Sequence, residues 1–366
     1  MKRMKNKNTL LIAVGLTISL MSMATFAARE NGSFAEITTN VKRYSEEQQK
    51  NYFDSSLKKL SKSEKNLPLM GWLYYNGIGT PVDKTTAFNM YKRAAFNDSH
   101  LGQYLLGKYY IEDLGNFKEG LSWLLKAADG KESMAALYIA QLYSEGKYVA
   151  KDEYFSLEYY HLAAKLGSSE ASFNIAEKML SSGDPSNYEK GLEYLLYAAK
   201  NNNLQACNTL SKLYITENIF VPIDPKKHIM YTSCAANNGD LTAIRTIADY
   251  YTRGYIVSID NEQAANYYEK YINAIGMSPS NQDDVDLFYE AGLAEFTNRD
   301  YRKAVDYLKV SAKSGKAEAA ETLGRMYENA NGVKVDLNAA LDYYKLAQKN
   351  GLDSSENITR VQSNMN

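Results

Sequence analysis

Small, apolar and aromatic residues recur along this chain at helical spacing. An apolar residue precedes a small one, and an aromatic follows three positions later. The small residues are Gly71, Gly107, Ala140, Ala176, Ser211, Ala248, Gly292 and Gly324. Met70, Leu106, Ile139, Ile175, Leu210, Ile247, Ala291 and Leu323 stand before them, and Tyr74, Tyr110, Tyr143, Tyr214, Tyr251 and Tyr327 stand three after. Met179 and Glu295 are the two exceptions at that position. A second pattern follows each of these: a small residue, an aromatic three later and another small residue four beyond it. It reads Gly120-Trp123-Ala127, Ser156-Tyr159-Ala163, Gly191-Tyr194-Ala198, Ala304-Tyr307-Ser311 and Ala340-Tyr343-Ala347. Looser versions are Ala87-Met90-Ala94, His228-Tyr231-Ala235 and Ala264-Tyr267-Tyr271, and successive copies begin 33 to 40 residues apart. Spacings of three and four place these residues on one face of a helix.

Each unit is therefore predicted to be two helices joined by a loop. Small residues let the two backbones approach, and aromatic rings fill the space beside them. One such hairpin cannot bury both of its faces, but a stack of them can. The repeats span 67–352. Residues 28–66 form an N-terminal segment with a capping helix over 42–62, with Phe53, Leu57 and Leu60 on one side. Pro279 and its polar neighbours break the array in a linker near 275–286, and 353–366 is a polar cap and tail that frays.

Met70-Gly71-Trp72-Leu73-Tyr74-Tyr75-Asn76-Gly77-Ile78-Gly79 and Tyr91-Lys92-Arg93-Ala94-Ala95 resemble the two helices of the Sel-one-like repeat (SLR) family, relatives of the tetratricopeptide repeats. Leu323-Gly324-Arg325-Met326-Tyr327 and Tyr343-Tyr344-Lys345-Leu346-Ala347 match again near the C-terminus. The resemblance implies an all-α fold, a right-handed α/α superhelical solenoid of about eight helix-turn-helix repeats. Repeat two departs from the pattern in its loop, Ile111-Glu112-Asp113-Leu114-Gly115-Asn116. Repeat seven has the short loop Thr297-Asn298-Arg299-Asp300-Tyr301.

The first 27 residues read differently. Lys2, Arg3, Lys5 and Lys7 precede a nearly all-apolar or small run from Leu10 to Met23, and Thr25-Phe26-Ala27-Ala28 offers small residues for cleavage. That is the pattern of a secretory signal peptide, and the apolar run is shorter than the roughly 20 residues of a membrane span. The expected location is the periplasm or outside the cell, with no stable membrane span after cleavage. The whole chain holds 42 Lys+Arg against 43 Asp+Glu, and without the leader 38 against 43, near −5 with His neutral. Such a balance gives no basic field for nucleic acid. The 31 Tyr are far above ordinary usage, and the two recurrent aromatic positions account for much of the excess.

Little in the sequence points to chemistry. His100, His161 and His228 stand in different repeats, with no Cys or carboxylate at metal-ligand spacing. Asp283, Asp284 and Asp286 lack the ligand order of a calcium loop and read as a solvated linker. Ser55 with Lys58, and Ser56 with Lys59, have an acylase-like spacing without the accompanying motifs. No cofactor, metal or catalytic residue is expected. Cys207 begins the first helix of repeat five and Cys234 lies near the end of the second, at similar height in a hairpin. Export permits a disulfide between them, and two buried thiols are the alternative.

The function expected is a non-catalytic scaffold that binds a peptide or protein partner along its first helices, as a monomer. Counting from the small residues gives Tyr75, Tyr104, Gln141, Phe173, Asn208, Arg245 and Tyr289 as groove candidates, with packing between repeats as their other role. The resemblance also implies alternatives. Exported SLR proteins are similar to regulators of cell-wall enzymes, to exopolysaccharide scaffolds, to host-interaction factors and to immunity proteins that neutralise phospholipase toxins. A peptidoglycan-binding module with Tyr stacked on sugars is a third class.

Overall fold

The computed structural model describes residues 34–61, 63–218 and 221–365, and the leader expected at 1–27 lies outside them. Among the described residues there are nineteen α-helices and no strand. Two compact units meet in sequence between Ala171 and Ser172. The first holds α1 (Phe34–Val41), α2 (Glu46–Leu60), a 3-10 turn (Glu64–Asn66) and three hairpins. These are α3 (Leu67–Asn76) with α4 (Lys84–Phe96), α5 (His100–Glu112) with α6 (Phe117–Asp129), and α7 (Ser133–Glu145) with α8 (Glu153–Lys165). The boundary falls inside α9 (Ser169–Ser181), whose hairpin partner is α10 (Pro185–Lys200). The second unit continues with α11 (Leu204–Ile215) and α12 (Pro225–Asn237), then α13 (Leu241–Arg253) and α14 (Asn261–Ile275). It ends with α15 (Gln282–Thr297) and α16 (Tyr301–Lys313), α17 (Ala317–Glu328) and α18 (Leu337–Lys349), and α19 (Ser355–Met365). The described residues form an all-α helical repeat solenoid of eight hairpins.

The loop inside each hairpin closes in one recurring way. The second helix starts at an N-cap acid or amide whose side chain accepts from the backbone N–H three residues on. Asp83, Asn116, Asp152, Asp224, Asp260, Asp300 and Asp336 do this. Such a cap is worth about 1 kcal/mol. The same residue's backbone N–H returns to the first helix. It donates to the carbonyl of the recurrent aromatic, as Asp83 to Tyr74 at 2.9 Å, Asp152 to Tyr143 at 3.0 Å, Asp224 to Tyr214 at 2.8 Å and Asp336 to Tyr327 at 3.0 Å. Asp300 does so to Glu295 at 3.0 Å, so the position keeps its backbone role where the ring is lost. Gly77, Gly146 and Gly254 end their helices at φ near +70°, where a side chain would be strained.

Packing within a hairpin corrects the sequence pattern by one residue. The deepest side chain of the second helix stands four after its small residue, not three. Tyr91, Leu124, Tyr160, Leu195, Thr232, Tyr268, Leu308 and Tyr344 occupy that place, and all are buried. They lie under the small residue of the first helix. A Cβ on Gly71 would come 2.6 Å from Tyr91 Cε1, and one on Gly324 2.7 Å from Tyr344 Cε1. The aromatic at position three has a different task. It stacks flat on the first helix's recurrent Tyr, as Tyr214 with Tyr231 at 5.7 Å, Tyr251 with Tyr267 at 6.2 Å and Tyr327 with Tyr343 at 5.6 Å.

Three peripheral segments differ from expectation. The buried face of α2 runs through Tyr52, Phe53 and Ser56, which leaves Leu57 43% exposed beside that face. The acidic run 283–286 is not a solvated linker but the first turn of α15. Tyr271 OH and Ser280 N–H both donate to the buried Asp284 carboxylate, and Asp283 and Asp286 pair with Arg245 and Lys316. The tail after Asp353 forms helix α19 rather than fraying. Val361 is fully buried against Tyr344, and Arg360 donates two bonds to Glu328.

Candidate partner groove

Helices α3, α5 and α7 each present a row of half-buried rings on one side. With α1 these rows enclose two adjoining cavities of about 330 and 440 Å³. Trp72, Tyr75 and Tyr109 line the first, with Phe34, Ala35 and Thr38 of α1. Tyr138, Gln141, Glu145, Tyr148 and Glu170 line the second. Ala35, Tyr104, Lys108, Glu112 and Met134 border both, so the two are parts of one groove.

The polar groups of the groove are matched to one another. Tyr75 OH donates to Asp113 Oδ2 at 2.9 Å, while Lys84 Nζ donates to Asp113 Oδ1 at 2.6 Å and lies 4.9 Å above the Tyr75 ring. Tyr138 OH donates to Glu112 Oε1 at 2.9 Å, and Lys108 sits 3.8 Å from that carboxylate and 5.3 Å above the Tyr138 ring. Gln141 Nε2 donates to Glu170 Oε1 at 2.9 Å. Burial holds the Tyr104 phenol above its ordinary range, and burial plus the Asp113 carboxylate does the same for Tyr75. Burial and then Glu112 raise Tyr138 likewise. All three phenols are neutral at physiological pH. The groove therefore offers aromatic edges, neutral hydroxyls and internally balanced charge.

Tyr75, Tyr104 and Gln141 come together in this groove. Phe173, Asn208, Arg245 and Tyr289 lie in the second unit, where they bridge neighbouring elements. Phe173 packs on the cluster around Leu195. Asn208 Nδ2 donates to Asp240 at 2.8 Å, Arg245 reaches Asp283 at 3.5 Å, and Lys316 Nζ lies 5.5 Å above the Tyr289 ring. In Asn208, Arg245 and Tyr289, three residues before the small one, the side chain thus meets the next hairpin. All eight repeat-core residues are buried, from Gly71 through Gly107, Ala140, Ala176, Ser211, Ala248 and Gly292 to Gly324. Sequence reasoning passed over Trp72, Tyr109, Tyr138 and α1. The doublets Tyr74-Tyr75 and Tyr109-Tyr110 carried a usable signal, since one ring of each serves the core and its neighbour the groove.

The fifth hairpin holds a buried polar knot. Thr232 Oγ1 donates to the His228 carbonyl at 2.8 Å and lies 2.8 Å from Ser211 Oγ. His228 Nδ1 is 2.9 Å from the Ser211 carbonyl, and its Nε2 is 2.9 Å from Tyr250 OH. One neutral tautomer satisfies every contact: Nδ1–H donates to the carbonyl, Tyr250 donates to Nε2, and Ser211 donates to Thr232. The imidazole lone pair then faces Tyr250 and is no base for Ser211. Beside the knot, Cys207 and Cys234 form a disulfide with Cα atoms 5.8 Å apart. No group of three or more His, Cys, Asp or Glu among the described residues could hold a metal ion, and no described helix is long and apolar enough to cross a membrane.

Comparison with known proteins recognises seven of the eight hairpins and passes over the fifth. The Sel1 repeat pattern matches residues 69–95, 100–131, 133–168, 169–203, 247–272, 287–316 and 317–352, and passes over 204–246, where the knot and disulfide sit. A chitin synthase regulator of Saccharomyces cerevisiae is 28% identical over 210 residues, 53% of this chain and 30% of that protein. The chain thus spans less than a third of that relative's length. A protective antigen of uropathogenic Escherichia coli strains with an SLR fold aligns at TM-score 0.49 and 21% identity, over 84% of this chain and 67% of the other. An immunity protein from Pseudomonas aeruginosa aligns at TM-score 0.42 and 22% identity, over 51% of this chain and 72% of the other.

Proposed function

The chain belongs to the Sel1 repeat family, whose members typically serve as non-catalytic scaffolds for protein partners, and we propose that it is an exported scaffold whose groove on α3, α5 and α7 binds a protein segment. The observation that supports this is the state of the rings. Their hydroxyls are bound to Asp113 and Glu112, and lysines cap the faces of Tyr75 and Tyr138. Lys42 covers Trp72 at 5.4 Å. Sugars stack on open ring faces, and a lysine already occupies one face of Trp72, Tyr75 and Tyr138. Apolar side chains need only the edges and gaps that remain. Export rests on the cationic and apolar leader of the sequence.

Crosslinking the purified chain to envelope proteins of its own cell tests the reading. A partner captured by the wild type and lost with Tyr104→Arg or Gln141→Arg, but kept with the remote Tyr255→Arg, is the expected result. Capture indifferent to the groove variants, or binding to isolated wall sacculi instead, would overturn it. A captured phospholipase would place the chain among immunity proteins; another envelope protein would not. Mass spectrometry of the native chain should find its first residue at Ala28. A chain recovered with its leader intact would remove the export half of the proposal.

A further inference from the structure

The matched pairs of the groove leave three hydroxyls over. Tyr91, Tyr104 and Tyr109 all line its first cavity, and among the described residues none of their hydroxyls has a hydrogen-bond partner. Tyr91 stands out, because its ring lies beneath Gly71 and is only 3% exposed. Three other hairpins place a tyrosine at the same point, and each provides for its hydroxyl from the first helix. Tyr344 OH donates to Glu328, four residues after Gly324. Tyr268 OH donates to Asp249 at 3.2 Å and lies 3.2 Å from Thr252 Oγ1, four residues after Ala248. Tyr160 is bonded to Ser144, four residues after Ala140. In the first hairpin the residue four after Gly71 is Tyr75, and its hydroxyl goes to Asp113 instead. A buried hydroxyl without a partner costs stability. One that opens only into a cavity is answered by what enters the cavity.

The lining sets the chemistry of the entrant. Burial raises the pKa of Tyr91 and Tyr109, as it does that of Tyr104, so the three hydroxyls are neutral and each can donate and accept. Asp113 and Glu112 oppose a carboxylate there, and Lys42 and Lys108 oppose an ammonium group. A side-chain amide is uncharged and carries both a donor and an acceptor, and a cavity of about 330 Å³ has room for one. We propose that the first cavity is an anchor pocket for one glutamine or asparagine side chain of the partner segment, whose amide takes the Tyr91 hydroxyl as its partner, with Tyr104 and Tyr109 beside it. The inference rests on the groove being the partner site.

Panning a library of random nine-residue peptides on the immobilised full-length chain tests it, with Tyr104→Arg as the counter-selection. The peptides kept by the wild type should share a glutamine or asparagine at one position. In solution the best of them should bind Tyr91→Phe at least fivefold more weakly. Replacing its amide residue by methionine should cost a similar factor on the wild type and little on Tyr91→Phe, since the two changes remove one interaction. Peptides that need Tyr104 but share no amide, or whose affinity ignores Tyr91→Phe, would overturn the pocket and leave the groove standing. The absence of any Tyr104-dependent peptide would remove both. Melting separates a binding role from a structural one. Tyr91→Phe should melt at or above the wild-type temperature, whereas Tyr344→Phe, which loses its bond to Glu328, should melt below it. A Tyr91→Phe chain that melts as low as Tyr344→Phe would show that the hydroxyl serves the fold, against the proposal.

Discussion

The fifth and eighth hairpins solve the same packing problem with different chemistry. In the eighth, Gly324 lets the Tyr344 ring lie directly beneath the first helix. Tyr344 is fully buried and its hydroxyl donates to Glu328 Oε2 at 2.6 Å. In the fifth, Ser211 replaces the glycine and Thr232 replaces the ring, with His228 beside them. A large apolar filling gives way to a hydrogen-bonded knot and a disulfide. The Sel1 pattern covers the eighth hairpin and passes over the fifth. The difference teaches that the hairpin geometry belongs to the loop closure and caps, which both share, and not to one filling. Asp224 and Asp336 close the two loops alike, each on the carbonyl of a Tyr.

The sharpest break in that comparison comes from deleting each filling. Tyr344→Ala removes a fully buried ring and should cost about 3–5 kcal/mol. Thr232→Ala removes little volume but leaves the Ser211 hydroxyl short of an acceptor, at about 1–3 kcal/mol. Urea unfolding of the full chain measures both, followed on the second unit. Equal losses would mean that ring and knot contribute alike. Gly324→Ala should cost about 1–3 kcal/mol, because the added methyl meets the Tyr344 ring.

The disulfide falls between the ring and the knot in size. It closes a 27-residue separation, and such a crosslink contributes about 2–4 kcal/mol. Reductant should lower the melting temperature of the wild type and leave a Cys207→Ala, Cys234→Ala chain unchanged. A wild type indifferent to reductant would show that the knot alone holds this hairpin.

The eight hairpins were legible in the sequence because small residues and rings repeat in register, and sterics permit few other residues there. The exact ring beneath the glycine was not. Tyr159-Tyr160, Tyr267-Tyr268 and Tyr343-Tyr344 are doublets, and periodicity alone does not say which ring turns inward. The groove was legible in part. Tyr75, Tyr104 and Gln141 lie in it, whereas Asn208, Arg245 and Tyr289 at comparable positions are spent on the next hairpin. Helix α1 escaped notice because FAEITTNV carries no repeat pattern and little helical propensity of its own. Its structure comes from the surface it lies on.

The smallest expected effect is one of sign, and it compares the seventh hairpin with the eighth. Both bury a glutamate near the end of the first helix. Glu295 is 4% exposed, and burial raises its pKa, for its cation Lys303, 3.6 Å away, also serves Glu269 and Asp300. Glu328 is lowered, first by Arg360, which donates through two nitrogens at 2.8 and 2.9 Å. A raised carboxyl favours the folded state when protonated. Its contribution is therefore complete below the unfolded value of about 4.3 and is lost as pH rises through the folded value. A lowered carboxylate contributes above that unfolded value and loses its contribution as pH falls through the folded one. On acidification from neutrality, Glu295 should first add stability, and Glu328 should withdraw it only below about pH 4.3. Melting temperature against pH for Glu295→Gln and Glu328→Gln separates them. The first variant should flatten the rise toward pH 5, and the second should soften the acid collapse. The same change in both profiles would show that one cation shared three ways neutralises a buried acid as well as one guanidinium dedicated to it.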